Sequence, residues 1–118
     1  MTVMHLNRRK TGTIYENTAA RYLEEQGYEI LERNYRCRIG EIDLIAQDNG
    51  YLVFVEVKYR TDTARGHALE AVGEKKQERI RKVALYYFMA RHLPEDTPCR
   101  FDVVGITGKE ISLVKDGF

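Results

Sequence analysis

Gly40-Glu41-Ile42-Asp43-Leu44-Ile45-Ala46-Gln47-Asp48-Asn49-Gly50-Tyr51-Leu52-Val53-Phe54-Val55-Glu56-Val57-Lys58-Tyr59-Arg60 is the stretch that decides the fold. Two apolar, β-branched runs flank Asp48-Asn49-Gly50, and Asn-Gly suits a type I′ turn because both central residues need φ > 0. The stretch predicts a β-hairpin. With Asn49-Gly50 as the loop, Asp48 pairs with Tyr51, Asp43 faces Glu56 and Glu41 faces Lys58. A loop at Asp48-Asn49 would instead set Asp43 opposite Phe54. Strand side chains alternate, so in either register Glu41, Asp43, Glu56 and Lys58 leave the same side of the sheet. Only an odd-length loop or an uncompensated bulge would separate them.

The second strand is apolar on both faces. Leu52 and Phe54 share a side with Glu56 and Lys58, while Val53, Val55 and Val57 fill the other, as in a buried central strand. Carboxylates placed together there repel, and burying charge without compensation is costly. A bound divalent cation is one compensation. The competing arrangement is a structural ion cluster in which Glu56 pairs with Lys58 and Asp43 accepts a hydrogen bond.

The remaining composition narrows the class. A chain of 118 residues suits one domain over 1–118. Its 43% hydrophobic and 31% charged content is that of a globular protein rather than a disordered or membrane one. No apolar segment follows the basic start, and nowhere do ~20 apolar residues run together. The expectation is a cytoplasmic protein without a membrane partner. Cys37 and Cys99 lack metal-site spacing, and in a reducing compartment both read as unpaired, buried small hydrophobes. The net charge of +1 does not favour nucleic acid, but the distribution of basic residues bears on it. They gather at Arg8-Arg9-Lys10, at Arg33, Arg36 and Arg38, and from Lys75-Lys76 through Arg79, Arg81 and Lys82. Such groups suit a phosphate-facing patch, although a solvated helix face explains the last one equally well.

Outward from the hairpin, residues 1 to about 12 are polar, basic and aperiodic, which predicts a mobile arm or a short lead-in. Thr13 and Glu16 have capping-box spacing, Ile14, Tyr15, Ala19, Tyr22 and Leu23 recur at helical intervals, and Gly27 is the expected C′ residue. Tyr28 to Tyr35 alternates loosely as an outer strand, with Tyr28, Ile30 and Glu32 on one side. Thr61 to His67 reads as a loop. A second helix is expected from Ala68 or Glu74 to His92, with a stripe of Val72, Lys76, Ile80, Val83, Ala84 and Tyr87 in which Lys76 is the one charged member. Cys99–Ile106 and Glu110–Val114 read as strands about a Gly108-Lys109 turn. The order α-β-β-β-α-β-β defines an α/β domain with a central mixed sheet flanked by helices. GxGxxG, Walker A and HExxH motifs are absent, and Ser112, the only serine, has no evident His partner. Dinucleotide, P-loop, zincin and serine-hydrolase chemistries are thereby disfavoured.

An Asp on one strand, Glu-X-Lys on the next and a following helix resemble the PD-(D/E)XK nuclease superfamily, with its restriction-endonuclease-like core. Gly40–Ala46, Leu52–Arg60, Tyr22-Leu23 with Gly27-Tyr28, and Arg100–Val104 together resemble the bacterial YraN family, whose core is similar to that of archaeal Holliday-junction resolvases. The likeness runs from Gly12 onward. It implies that Asp43 and Glu56 ligate Mg²⁺ or Mn²⁺ with the backbone carbonyl of Val57, and that Lys58 stands beside the attacking water and the scissile phosphate. Such hard cations do take carboxylate and carbonyl oxygens. The resemblance also places Glu16 where resolvase-like nucleases carry a helical glutamate, in competition with its capping-box reading. Glu41 becomes a candidate to hold Lys58 or complete the carboxylate cluster. Lys76 and Gln77 are candidates to meet the site from the second helix, against the plainer readings of a snorkelling lysine and a boundary glutamine. Ile42 stands where the superfamily motif has proline.

The expected function is divalent-metal-dependent hydrolysis of phosphodiester bonds in DNA, with branched or otherwise structured DNA among the candidate substrates and a homodimer as the suggested assembly. Arg8, Arg9, Lys10, Arg36, Arg38, Arg60 and Lys76 are the expected nucleic-acid contacts. The alternative is a non-catalytic nucleic-acid-binding module that keeps the nuclease fold. A third reading, an interaction protein, predicts neither metal nor nucleic-acid binding. No base-reading motif distinguishes DNA from RNA.

Overall fold

The Asn-Gly turn adopts the conformation its residues favour, with Asn49 at φ 50° and Gly50 at φ 83°, both in the left-handed region that a type I′ turn requires. The computed structural model describes the backbone of residues 2–60 and 72–118 and the side chains of 12–60 and 72–118. The side chains of Arg8, Arg9 and Lys10, the loop expected over Thr61–His67 and the alternative helix start at Ala68 lie outside the described residues. The elements run α1 (Thr2–Glu25), β1 (Glu29–Arg36), β2 (Glu41–Asp48), β3 (Tyr51–Arg60), α2 (Glu74–Ala90), β4 (Cys99–Thr107) and β5 (Glu110–Val114). Among the described residues five strands join one sheet in the order β1-β2-β3-β4-β5. β3 and β4 are parallel and the other pairs antiparallel. This mixed sheet with flanking helices has the restriction-endonuclease-like arrangement expected from the sequence.

The helices cover opposite faces. Ala19, Ala20 and Leu23 of α1 pack with Leu44, Ala46, Val53, Val55, Val104 and Ile106, and the two alanines let the helix approach the sheet closely. Ile80, Val83, Ala84 and Tyr87 of α2 pack with Ile42, Ile45, Leu52 and Phe54. β3 is therefore buried on both faces, as its double apolar pattern required.

α1 begins at Thr2 rather than near Thr13. Residues 2–12, expected as an arm, form its first turns, because Met4, Leu6, Arg8, Arg9 and Lys10 are good helix formers and a lone Gly12 costs only about 1 kcal/mol. Thr13 accordingly lies inside the helix and caps nothing, which removes the capping-box role of Glu16. At the other end Tyr28 N–H donates to Leu23 O at 2.9 Å and Gly27 N–H to Glu24 O at 3.0 Å, with Gly27 at φ 97°. These bonds form a Schellman cap. The register of β1 slips between Ile30 and Glu32, and this bulge separates residues expected on one side. Ile30 packs with the α1 cluster, whereas Glu32 meets Arg91, just past α2, with Oε2 2.7 Å from Nη2. Cys37 and Cys99 are unpaired, but neither is fully buried: Cys37 is half-buried and Cys99, which opens the parallel ladder, is exposed.

A polar network fixes the turn end of the hairpin. Asp102, fully buried, accepts from Tyr28 Oη at 2.7 Å, Arg100 Nε at 2.9 Å and the Asp116 N–H at 2.9 Å. Arg100 Nη2 also donates to Asp48 Oδ2 at 2.8 Å, where Lys115 Nζ approaches to 3.3 Å. Two buried carboxylates are here matched by two cations, so the charges are compensated within the fold. Arg100 holds the Asp48 carboxyl below its ordinary range, with Lys115 assisting against the effect of burial.

Candidate metal and phosphodiester site

At the opposite end of the hairpin the strands part. The β2–β3 ladder holds the expected register from Asp48↔Tyr51 to Leu44↔Val55 and ends there. Beyond it, Val57 N–H donates to Asp43 Oδ2 at 2.8 Å, so a side-chain carboxylate takes the place of a ladder acceptor. A residue's N–H and C=O leave a strand from the same edge. The Val57 carbonyl therefore also faces the opening.

The splay corrects one expectation. Ile42 and Ile45 pack together on the α2 face while Leu44 and Ala46 pack on the α1 face, so strict alternation breaks between Ile42 and Leu44. Glu41 consequently does not line up with Asp43, Glu56 and Lys58. It pairs with Arg36 at 3.0 Å and lines a polar cleft of about 320 Å³ with Gly12, Thr13, Glu16, Asn34 and Arg36. Burial raises the Glu16 carboxyl above its ordinary value, a hydrogen bond from Asn34 offsets part of this, and the Glu41 charge adds to it. Glu16 also acts on Asp43 through its charge. The helical glutamate thus borders the opening from the α1 side.

Asp43 and Glu56 come together. Glu56 is 7% exposed and adjoins Asp43, whose carboxyl is raised well above the usual carboxylate range, first by burial and then by Glu56, against the effect of the Val57 N–H. Lys76 of α2 supplies one positive charge, with Nζ 3.0 Å from Glu56 Oε2. Lys58 is half-buried one residue beyond Val57. Gln77 is engaged elsewhere, donating from Nε2 to Val72 O at 2.7 Å where the chain enters α2. Among the described residues no group of three or more His, Cys, Asp or Glu converges. The donor set at the opening is two carboxylates and one backbone carbonyl. Those oxygens fit a hard divalent cation that keeps water in its other positions.

The chain has a place among known sequences. The model of the family described as "Uncharacterised protein family UPF0102" matches residues 15–106. A UPF0102 protein of Lachnoclostridium phytofermentans is 56% identical over 113 residues, 96% of each chain. One from Syntrophus aciditrophicus is 50% identical over 92% of this chain and 88% of its own, and one from Caldicellulosiruptor bescii 48% identical over 96% and 100%. The chain belongs to UPF0102. The span matched by the UPF0102 model includes Glu16, Glu41, Asp43, Glu56, Val57, Lys58 and Lys76, and so takes in the whole opening.

Three features of this UPF0102 site escaped sequence reading. Asn34 has φ 50° and offsets part of the rise in the Glu16 carboxyl; an Asn within the strand Glu29–Arg36 was the available signal, because Asn tolerates the left-handed region. Tyr59 stacks on Tyr15 with ring centroids 4.2 Å apart, a pairing of distant residues with no local signature. Arg60 is an expected nucleic-acid contact, but the sequence does not show that its Nε is buried without a hydrogen-bond partner among the described residues. A concavity of about 830 Å³ runs along the C-terminal half of α2 past Phe88, Leu93 and Phe101. It contains none of these carboxylates, so chemistry rather than volume selects the site. Among the described residues no helix is long and apolar enough to cross a membrane.

Proposed function

We propose that this UPF0102 protein is a divalent-metal-dependent endonuclease that hydrolyses phosphodiester bonds in DNA. The observation that carries the reading is the adjoining pair of carboxylates, Asp43 and Glu56, held where the β2–β3 ladder has ended and the Val57 N–H meets Asp43, with the Val57 carbonyl facing the same opening. Such a pair retains a proton or repels, and a cation relieves both. Asp43, Glu56 and the Val57 carbonyl would hold Mg²⁺ or Mn²⁺, which when bound lowers the pKa of water and neutralises charge developing on a phosphoryl group. Lys58, on the strand that carries Glu56, offers a positive donor to the phosphate. Lys76 neutralises Glu56 in the metal-free protein, and its ammonium is within reach of the incoming anion. Arg60 supports an anionic ligand independently, since a buried guanidinium N–H without a partner among the described residues calls for an acceptor and a phosphate oxygen is one. Arg38 is exposed near the same end of the sheet.

Titration calorimetry with Mg²⁺ and Mn²⁺ on the wild type, Asp43→Ala and Glu56→Ala, beside incubation with labelled duplex and four-way-junction DNA, tests this. Metal uptake lost in both variants and cleavage confined to the wild type are expected. DNA binding without metal uptake would refute the enzyme. The Lys76–Glu56 pair favours a second reading, since it partly compensates the site without metal. A non-catalytic DNA-binding module would show salt-dependent binding that survives Asp43→Ala.

A further inference from the structure

Tyr59 follows the Glu56-Val57-Lys58 segment directly, and its position on β3 places it on the α1 face with Val57, whose side chain packs against the α1 cluster. Two residues of strand separate Val57 from Tyr59, roughly 7 Å. There Tyr15 of α1 lies against one face of the Tyr59 ring, with centroids 4.2 Å apart and planes 13° from parallel. Tyr59 nonetheless remains 44% exposed. Tyr15 thus covers one face of the ring at the open end of β3, and Tyr59 stays exposed two positions beyond Val57, on the sheet face opposite Glu56 and Lys58.

A fixed, open aromatic face is what an unstacked nucleobase seeks. Bases within continuous duplex are already stacked on their neighbours, whereas every unpaired base has a free π-face. We infer that Tyr59, backed by Tyr15, is a stacking platform for an unpaired base next to the scissile phosphate. The substrate class is then DNA with unpaired nucleotides at the cleavage point, such as a flap, gap or open junction, rather than continuous duplex. This assignment of substrate rests on the phosphodiesterase reading of Asp43, Glu56 and Val57. The cleft lined by Glu16, Asn34 and Arg36 lies on the same α1 side and adds hydrogen-bonding groups near the platform.

The test separates binding from chemistry. Fluorescence anisotropy without metal compares a flap DNA carrying 2-aminopurine at the branch with continuous duplex of equal length, using the full chain as wild type, Tyr59→Phe and Tyr59→Leu. Tyr59→Leu keeps apolar bulk at an exposed position but removes the π-face with its stack on Tyr15, whereas Tyr59→Phe keeps both and removes only the hydroxyl. Preference for the flap and quenching of 2-aminopurine are expected in the wild type and Tyr59→Phe. Tyr59→Leu should lose flap affinity roughly 5- to 150-fold, the equivalent of one stacked base, with duplex affinity unchanged. Equal loss on both DNAs, no loss on either, or no DNA binding by the wild type would overturn the platform. Flap-selective binding through Tyr59 with no cleavage in Mg²⁺ or Mn²⁺ would instead leave the platform standing and overturn the endonuclease.

Discussion

Replacing Asp43 by Asn should make the metal-free protein more stable at pH 8. The Asn oxygen still accepts from Val57 N–H, which meets Asp43 Oδ2 at 2.8 Å, while its amide N–H donates to Glu56 where the second carboxylate stood. A hydrogen bond to a charged group contributes about 1.5–3 kcal/mol; because Asp43 is only half-buried, screening draws the expected gain towards about 1–2 kcal/mol. At about 4 °C per kcal/mol for a chain of this size, Tm should rise roughly 4–8 °C. The sign with pH follows from the raised pKa of Asp43. Its folded form binds a proton that the unfolded chain releases above ~3.9, so the contribution of Asp43 is most favourable below that value and fades as pH climbs towards the folded pKa. The advantage of Asp43→Asn should therefore grow from pH 4 to pH 8. Saturating Mn²⁺ should reverse the order, since ligand at 100 times Kd adds about 2.7 kcal/mol to the wild type alone. Thermal melts across pH with and without Mn²⁺ read all of this. An Asn variant that is less stable by the same amount at every pH would show Asp43 to be a structural acceptor and refute the reasoning.

Other perturbations divide the structural charges from the functional ones. Asp102→Ala leaves Arg100 and Tyr28 without their shared buried acceptor and should cost about 3–5 kcal/mol, read from the urea midpoint. The Asp48 carboxyl, held low by Arg100 and Lys115, stabilises the fold fully above ~3.9 and loses that contribution as pH falls through its folded value. Asp48→Asn should accordingly flatten the dependence of Tm on pH between 2 and 4, and an unchanged acid limb would contradict the network. Lys76→Met removes an ammonium 3.0 Å from Glu56. Glu56 is buried but the Lys76 ammonium is half-exposed, so solvent screening holds the pair to about 1 kcal/mol, and Mn²⁺ affinity should tighten roughly fivefold by calorimetry; weaker binding would mean that Lys76 supports the metal rather than competing with it.

The fold was legible because its signals are local. Asn49-Gly50 set the hairpin, Gly27 the end of α1, and the double apolar pattern of Leu52 to Val57 the central strand; each depends on residues adjacent in sequence. Where the reading failed, a non-local cause was at work. Alternation placed Glu41 with Asp43, Glu56 and Lys58, but the β2–β3 ladder ends at Leu44 and Val55 and Glu41 turns to Arg36. The β1 bulge moved Glu32 to the α2 face without any glycine to announce it. Thr13 read as a cap because nothing in the first turns of α1 has an apolar period. The Tyr15–Tyr59 stack joins residues far apart in the chain, which only the folded arrangement brings together.

The two ends of the hairpin supply an argument that neither end supplies alone. Asp48 and Asp43 lie on the same strand, near its opposite ends. At the first, Arg100 and Lys115 surround the carboxylate, Asp102 is satisfied by Tyr28, Arg100 and a backbone N–H, and the Asp48 carboxyl is held low. At the second, Asp43 faces another carboxylate and its carboxyl is driven up. A fold that buries acids for stability compensates them, as this one does at its turn end. Retaining a repelling pair at the open end lowers the stability of the metal-free chain, a cost associated with sites arranged for a ligand. Cation binding is the chemistry that turns the same repulsion into affinity, and for that reason the stability of Asp43→Asn, measured with and without Mn²⁺, discriminates between a metal centre and a structural cluster.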